Sequence, residues 1–206
     1  MIQQNKKDKP RRPERRTDRL LVVDVAATCW EGDPPPGERS EIVQVGLAWI
    51  YTEGLEIPPP GVVRWVTPIA SKVSPFCVRL TGITQADVDA NGAPLGKVCD
   101  EIRDQIFAGA DLPWASYGDY DRRQFDRNCR EAGARYPFPG RHLNVKAWVA
   151  VMLGWPAEVG LKTALERVGL QFEGRAHQAG PDARNVARLL VEGMRRARKL
   201  VSGRGV

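Results

Sequence analysis

The sequence is poor in the residues that build zinc sites and disulfide frameworks. Four of its 206 residues are cysteine and two are histidine. Cys29, Cys77, Cys99 and Cys129 lie far apart and form no Cys-x-x-Cys pair, and His142 and His177 stand singly. Tetrahedral zinc spacing is therefore missing, and the thiols are expected to be reduced and mostly packed. No apolar run approaches the roughly 18 residues that cross a bilayer. The basic N-terminus lacks the apolar stretch of a secretory leader, so the chain is expected in the cytoplasm (or in the nucleus of a eukaryote), with no membrane partner. There is no internal repeat, and no linker wide enough to separate two domains.

What is present suits one globular domain. A chain of 206 residues can bury a sizeable core, and 42% hydrophobic with 27% charged residues is an ordinary soluble balance. The formal charge of +6 is unevenly spread, because residues 1–19 hold eight Lys or Arg against three acids. The remainder is nearly neutral. With almost no apolar side chains, 1–19 reads as a disordered basic arm. Such an arm either holds phosphates through salt-sensitive contacts or merely solubilises, and both readings stand. The expected organisation is an arm at 1–19, a domain at 20–200 and a flexible tail at 201–206. The basic cluster Arg195, Arg196, Arg198 and Lys199 suits the last turn of a helix.

Periodicity orders the domain. Residues 20–26 form an apolar, β-branched run of strand length. A loop at 32–37 holds three prolines in a row, and Ile42 to Tyr51 alternates as a second strand. Pro58-Pro59-Pro60-Gly61 precedes a third strand, Val62 to Thr67. Strands this close along the chain usually pair antiparallel. Helical patterns follow. One is short and opens at Thr84. A longer one runs from Pro94 to Phe107, with Leu95, Val98, Ile102 and Ile106 on one face. After a strand at Leu112 to Tyr117, helices are expected at 120–132, 145–153, 161–168 and 181–200. Pro181 suits a first helical position, and Val186, Leu189, Leu190, Gly193 and Met194 share the inner face of the last helix. The order implies an α/β fold, a mixed sheet flanked by helices.

Three places carry chemistry. Asp24 ends the first strand, where apolar neighbours would desolvate its carboxylate; a loop-capping aspartate is the plainer reading. Asp121 falls in the first turn of a helix just past a strand, a site that suits the helix dipole and also one where α/β sheets place functional groups. His177 sits on a glycine-flanked loop before Asp182. A histidine ordinarily titrates near neutrality and can take a proton from water.

These residues fall into a known series: Asp24-Val25-Ala26-Ala27-Thr28-Cys29, then Glu41-Ile42-Val43, then the block from Val73 to Gln85, then Tyr120-Asp121, then His177 to Asp182. In this series the chain resembles the DEDDh 3′→5′ exonucleases, and within them the branch of the histone-mRNA 3′-exonuclease and the RNA-interference-regulating exonucleases. The likeness runs from about residue 20 to residue 195, and its middle block is specific over more than ten positions. It implies a ribonuclease-H-like fold with about five strands. It also implies that Asp24, Asp121 and Asp182 help hold two Mg2+ or Mn2+ ions, with His177 as general base. Hard oxygen ligands select such metals. The implied substrate is the 3′ end of single-stranded RNA or DNA, RNA being favoured, with nucleoside 5′-monophosphates released. Phe76, Leu80 and Tyr120 are candidates to contact the terminal base, although Phe76 and Leu80 also read as ordinary core. Ala27 and Thr28 are candidates to present backbone groups to the terminal sugar, and Trp30 to line the same groove.

Position 26 departs from the series. The family carries glutamate there, and Ala26 offers no oxygen. Period-two geometry puts 24 and 26 on one side of the strand, so the missing carboxylate would have faced the same metals. Low activity is expected of the chain as it stands. A substitution made to trap substrate and a natural loss both account for Ala26. Glu31 lies past the strand end and is a poor replacement. The alternative function is a non-catalytic nucleic-acid-binding module that keeps the exonuclease fold.

Overall fold

The computed structural model describes residues 16–202. Its centre is a mixed sheet in the order β3-β2-β1-β4-β5, formed by β1 (Arg19–Ala27), β2 (Ile42–Tyr51), β3 (Val62–Trp65), β4 (Trp114–Ser116) and β5 (His142–Asn144). The first three strands pair antiparallel, as their short connections predict, whereas β1, β4 and β5 run parallel. Around the sheet lie α1 (Pro75–Thr81), α2 (Gln85–Asn91), α3 (Leu95–Glu101), α4 (Tyr120–Glu131), α5 (Val145–Met152), α6 (Leu161–Arg167) and α7 (Ala179–Ser202).

Both faces of the sheet are covered. Leu20 and Val22 of β1 pack with Ala48 and Ile50 of β2 beneath α5, α6 and α7. Leu21, Val23 and Val25 point the other way, into a second core with Leu95 and Val98 of α3 and Phe125 and Cys129 of α4. Strict alternation therefore puts Asp24 on the α7 face, where it continues the row of Leu20 and Val22. Burial on both sides explains why the polar Gln44, the third residue of β2, is also enclosed at 6% exposure.

Several boundaries differ from the expectations. The strand at 62–67 stops at Trp65, with one isolated bridge from Val66 to Ala93. The strand at 112–117 narrows to Trp114–Ser116. The helix at 94–107 ends at Glu101 and continues as a π-helical turn, Ile102–Ile106. Two elements went unassigned. One is α1, seven residues capped by the Ser74 side chain at one end and by left-handed Gly82 (φ 74°) at the other. The other is β5, three residues with little apolar pattern. The last helix starts two residues early, at Ala179, and runs through Ser202, into the expected tail. Arg19 already belongs to β1. Residues 1–15 of the basic arm and residues 203–206 lie outside the described residues. All four cysteines are free thiols, three of them buried.

Candidate active site

The parallel pairing of β1 with β4 brings the carboxyl ends of two strands together, the usual place for function in such sheets. Asp24 lies near the end of β1, and Asp121 enters α4 just past β4. Asp182 comes from the first turns of α7, which can sit against β2 because Gly46 has no side chain. A methyl there would stand 1.9 Å from the Ala179 carbonyl oxygen. The buried side chain of Gln44 completes the junction, its Oε1 accepting from the Ala179 N–H at 3.0 Å.

The three carboxylates are close enough to raise one another's charging cost. Burial, then the charges of Asp121 and Asp182, push Asp24 well above the usual carboxylate range. Asp121, only 3% exposed, is pushed up to about 7 chiefly by burial, even though its Oδ1 accepts from the Val25 N–H at 2.9 Å. Burial likewise raises Asp182 to about 6. Its Oδ2 accepts from the His177 N–H at 2.9 Å, while Oδ1 is buried without a hydrogen-bond partner. A buried anionic oxygen with nothing to bind is costly. His177 holds a left-handed backbone (φ 64°) and is exposed. The loop is thus tied to Asp182 through the backbone, and the imidazole remains free to turn.

All four residues line one cavity of about 530 Å³. Ala26 lines it too, one strand repeat beyond Asp24, and so do Ala27, Leu80 and Tyr120, the last 55% exposed. Thr28 and Phe76 do not line it. The Thr28 hydroxyl is buried, donating to the Arg39 carbonyl at 3.0 Å and accepting from the Glu41 N–H at 2.9 Å, so it holds the turn after β1. Phe76 lies half-buried on α1 beneath the Arg79 guanidinium, 5.8 Å from its ring centre. Trp30 is half-buried outside the lining, and Glu31 is exposed and paired with Arg79 at 3.3 Å. Residues without an assignment from sequence also line the cavity, among them Cys29, Tyr117, Lys162 and Phe172. Gln44 and Gly46 could have been flagged as a polar side chain and a glycine inside an otherwise apolar strand. Lys162 and Phe172 carry no such signal.

No three His, Cys, Asp or Glu side chains among the described residues form a closed metal cluster. The donor set instead fits a hard cation bound by one or two carboxylates, with water and substrate phosphate filling its shell, the habit of Mg2+. The unpartnered Oδ1 of Asp182 and the crowded charge of Asp24 are what such a cation would relieve.

The profile of a family described as Exonuclease matches residues 21–190. Human "3′-5′ exoribonuclease 1" is 31% identical over 182 residues, 84% of this chain and 52% of that protein, so the chain spans about half of that relative's length. The Drosophila melanogaster "3′-5′ exonuclease Snipper" is 28% identical over 199 residues, 85% of this chain and 69% of that one. Among solved structures, the nuclease domain of 3′hExo, described as a DEDDh family member bound to rAMP, superposes with a TM-score of 0.79 at 28% identity, over 87% of this chain and 93% of that one. With the family profile matched along most of its length and that nuclease domain sharing its fold, the chain belongs to the DEDDh exonuclease family.

Proposed function

We propose that this chain is a 3′→5′ exonuclease of single-stranded RNA, releasing nucleoside 5′-monophosphates, and that Ala26 leaves it with low activity. The carrying observation is the meeting of Asp24, Asp121, Asp182 and His177 in one cavity. The names of the relatives, exoribonucleases and exonucleases, support the reaction and the RNA preference.

Asp24, Asp121 and Asp182 would help hold Mg2+ or Mn2+. A bound pair of cations supplies charge neutralisation for the attacking and leaving oxygens of a phosphodiester. Leu80 and Tyr120 bracket the terminal base, and the backbone of Ala27 borders its sugar. His177 takes a proton from the attacking water, whose oxygen bonds to phosphorus as the bond from phosphorus to the 3′ oxygen breaks; that oxygen takes up a proton from solvent to become the new 3′-hydroxyl, and the mononucleotide leaves with its 5′-phosphate. Asp182 fixes the backbone of residue 177, from which the imidazole turns toward the water. The basic residues 1–19 add salt-screened attraction for the strand. The cytoplasm is the compartment proposed. Among the described residues, no helix is long and apolar enough to cross a membrane.

Ala26 favours a second reading, a binding module without turnover. Restoring the carboxylate separates the two. Ala26→Glu protein is expected to shorten an end-labelled single-stranded RNA from its 3′ end with Mg2+ or Mn2+. Binding without shortening would favour the module.

A further inference from the structure

The active-site cavity does not end at the carboxylates. A second recess of about 560 Å³ adjoins it, and Lys162, Phe172 and Ala176 line both. The residues given above to the terminal nucleotide come from β1, α1 and α4, whereas Lys162 and Phe172 come from α6 and the loop after it. Lys162 is exposed at the second position of α6, and its ammonium makes no ion pair or hydrogen bond among the described residues. Among the described residues it is also the only lysine or arginine lining a cavity that holds three acids. Phe172 is half-buried and rests on the core beneath α6 and α7, so its ring is held in place where it borders both spaces.

We propose that the second recess takes the nucleotide on the 5′ side of the scissile bond, with Lys162 holding a backbone phosphate and Phe172 stacking a base. This rests on the exonuclease reading and extends it to substrate length. A phosphodiester carries a full charge that a free ammonium can meet without first breaking an existing pair. An anchored aromatic face binds any base, because every base has a π-face. The carboxylate of Glu166, which also lines the recess, disfavours phosphate there. The backbone would therefore stay at Lys162, with sugar and base facing Glu166 and Gln171.

The test is calorimetric binding of AMP and of a tetraadenylate to the full chain, with Ca2+ present so that the strand stays intact. Lys162→Ala is expected to leave AMP binding unchanged. It should weaken the tetranucleotide about fivefold at low salt, as loss of one exposed charge pair does, and reduce the slope of log K against log salt by about 0.7. Lys162→Arg should restore both. Phe172→Leu, which keeps an apolar side chain on the core, should weaken the tetranucleotide about tenfold and spare AMP. Equal loss for AMP and tetranucleotide, or no loss for either, overturns the proposal and leaves the exonuclease reading standing. If neither ligand binds the unsubstituted chain, both fall.

Discussion

Replacing Gly46 with alanine tests how the two halves of the site are held together. The added methyl would stand 1.9 Å from the Ala179 oxygen, 2.1 Å from the carbon of that carbonyl and 2.5 Å from the Gly180 nitrogen. All three atoms are backbone at the start of α7, so no side chain can turn aside. The helix start must lift from β2, which also breaks the buried bond from the Ala179 N–H to Gln44 Oε1. Overpacking of this kind costs about 1–3 kcal/mol, and leaving a buried polar pair apart costs about 1–3 kcal/mol more. The sum, about 2–6 kcal/mol, corresponds to a loss of about 5–20 °C in melting temperature for a domain of this size. Circular dichroism melts of Gly46→Ala and of Gly32→Ala, where a methyl would meet nothing within 4 Å, give the comparison. Because α7 also carries Asp182, Gly46→Ala should lose nucleotide affinity even well below its melting temperature. A variant melting within about 2 °C of the parent, the range of a neutral surface change, would refute the close packing of α7 on β2.

The acids give a pH dependence of unusual sign. Asp121 sits at about 7 in the fold against an ordinary 3.8, so between these values the folded state binds more protons than the unfolded chain. Metal-free stability should then fall as pH rises from about 4 to about 7 and level off above, by up to about 4 kcal/mol from this group. Urea melts at pH 5 and pH 8 measure it, and Asp121→Asn should flatten the curve. A parent more stable at pH 8 than at pH 5 would contradict this. In Ala26→Glu protein, His177→Ala should lower the rate about 10²–10⁴-fold with little change in affinity for a short RNA. Full activity would remove the imidazole from the mechanism. Asp182→Asn in the same background should abolish turnover, measured as release of labelled mononucleotide. It should also loosen the 174–180 loop, seen as faster proteolysis there, since the oxygen that accepts from the His177 N–H is weakened.

The parts of the fold legible in the sequence were those with long period signals. β1, β2 and α7 follow from apolar runs and a 3.6-residue stripe, and the inner-face residues Val186, Leu189, Leu190 and Gly193 are buried, with Met194 half-buried against the same core. Short elements were not legible. β5 is three residues long, and its side chains are only partly buried, so nothing in its pattern marks a strand. α1 had its signals in Ser74-Pro75 and Gly82, but seven residues are too few for a periodic stripe. The acids and His177 stood out through motif order. Their supports did not, because Gln44 and Gly46 act by meeting α7, more than 130 residues away along the chain. Thr28 carries a contact of the same kind. Its place in the first motif points to backbone groups offered to substrate, and nothing in that motif shows that its hydroxyl is bonded to Arg39 and Glu41. Local spacing does not reveal which contacts a side chain has already made.

Capture of a divalent cation by Asp24, Asp121 and Asp182 is measured most directly by titrating Mn2+ into the full chain at pH 8 in a calorimeter, beside Asp24→Asn and Ala26→Glu. Saturable binding is expected in the parent, its loss in Asp24→Asn, and about tenfold or greater tightening in Ala26→Glu, because a further carboxylate joins the ligand set. No saturable heat in Ala26→Glu, or the same isotherm in all three proteins, would contradict a metal site built on these carboxylates.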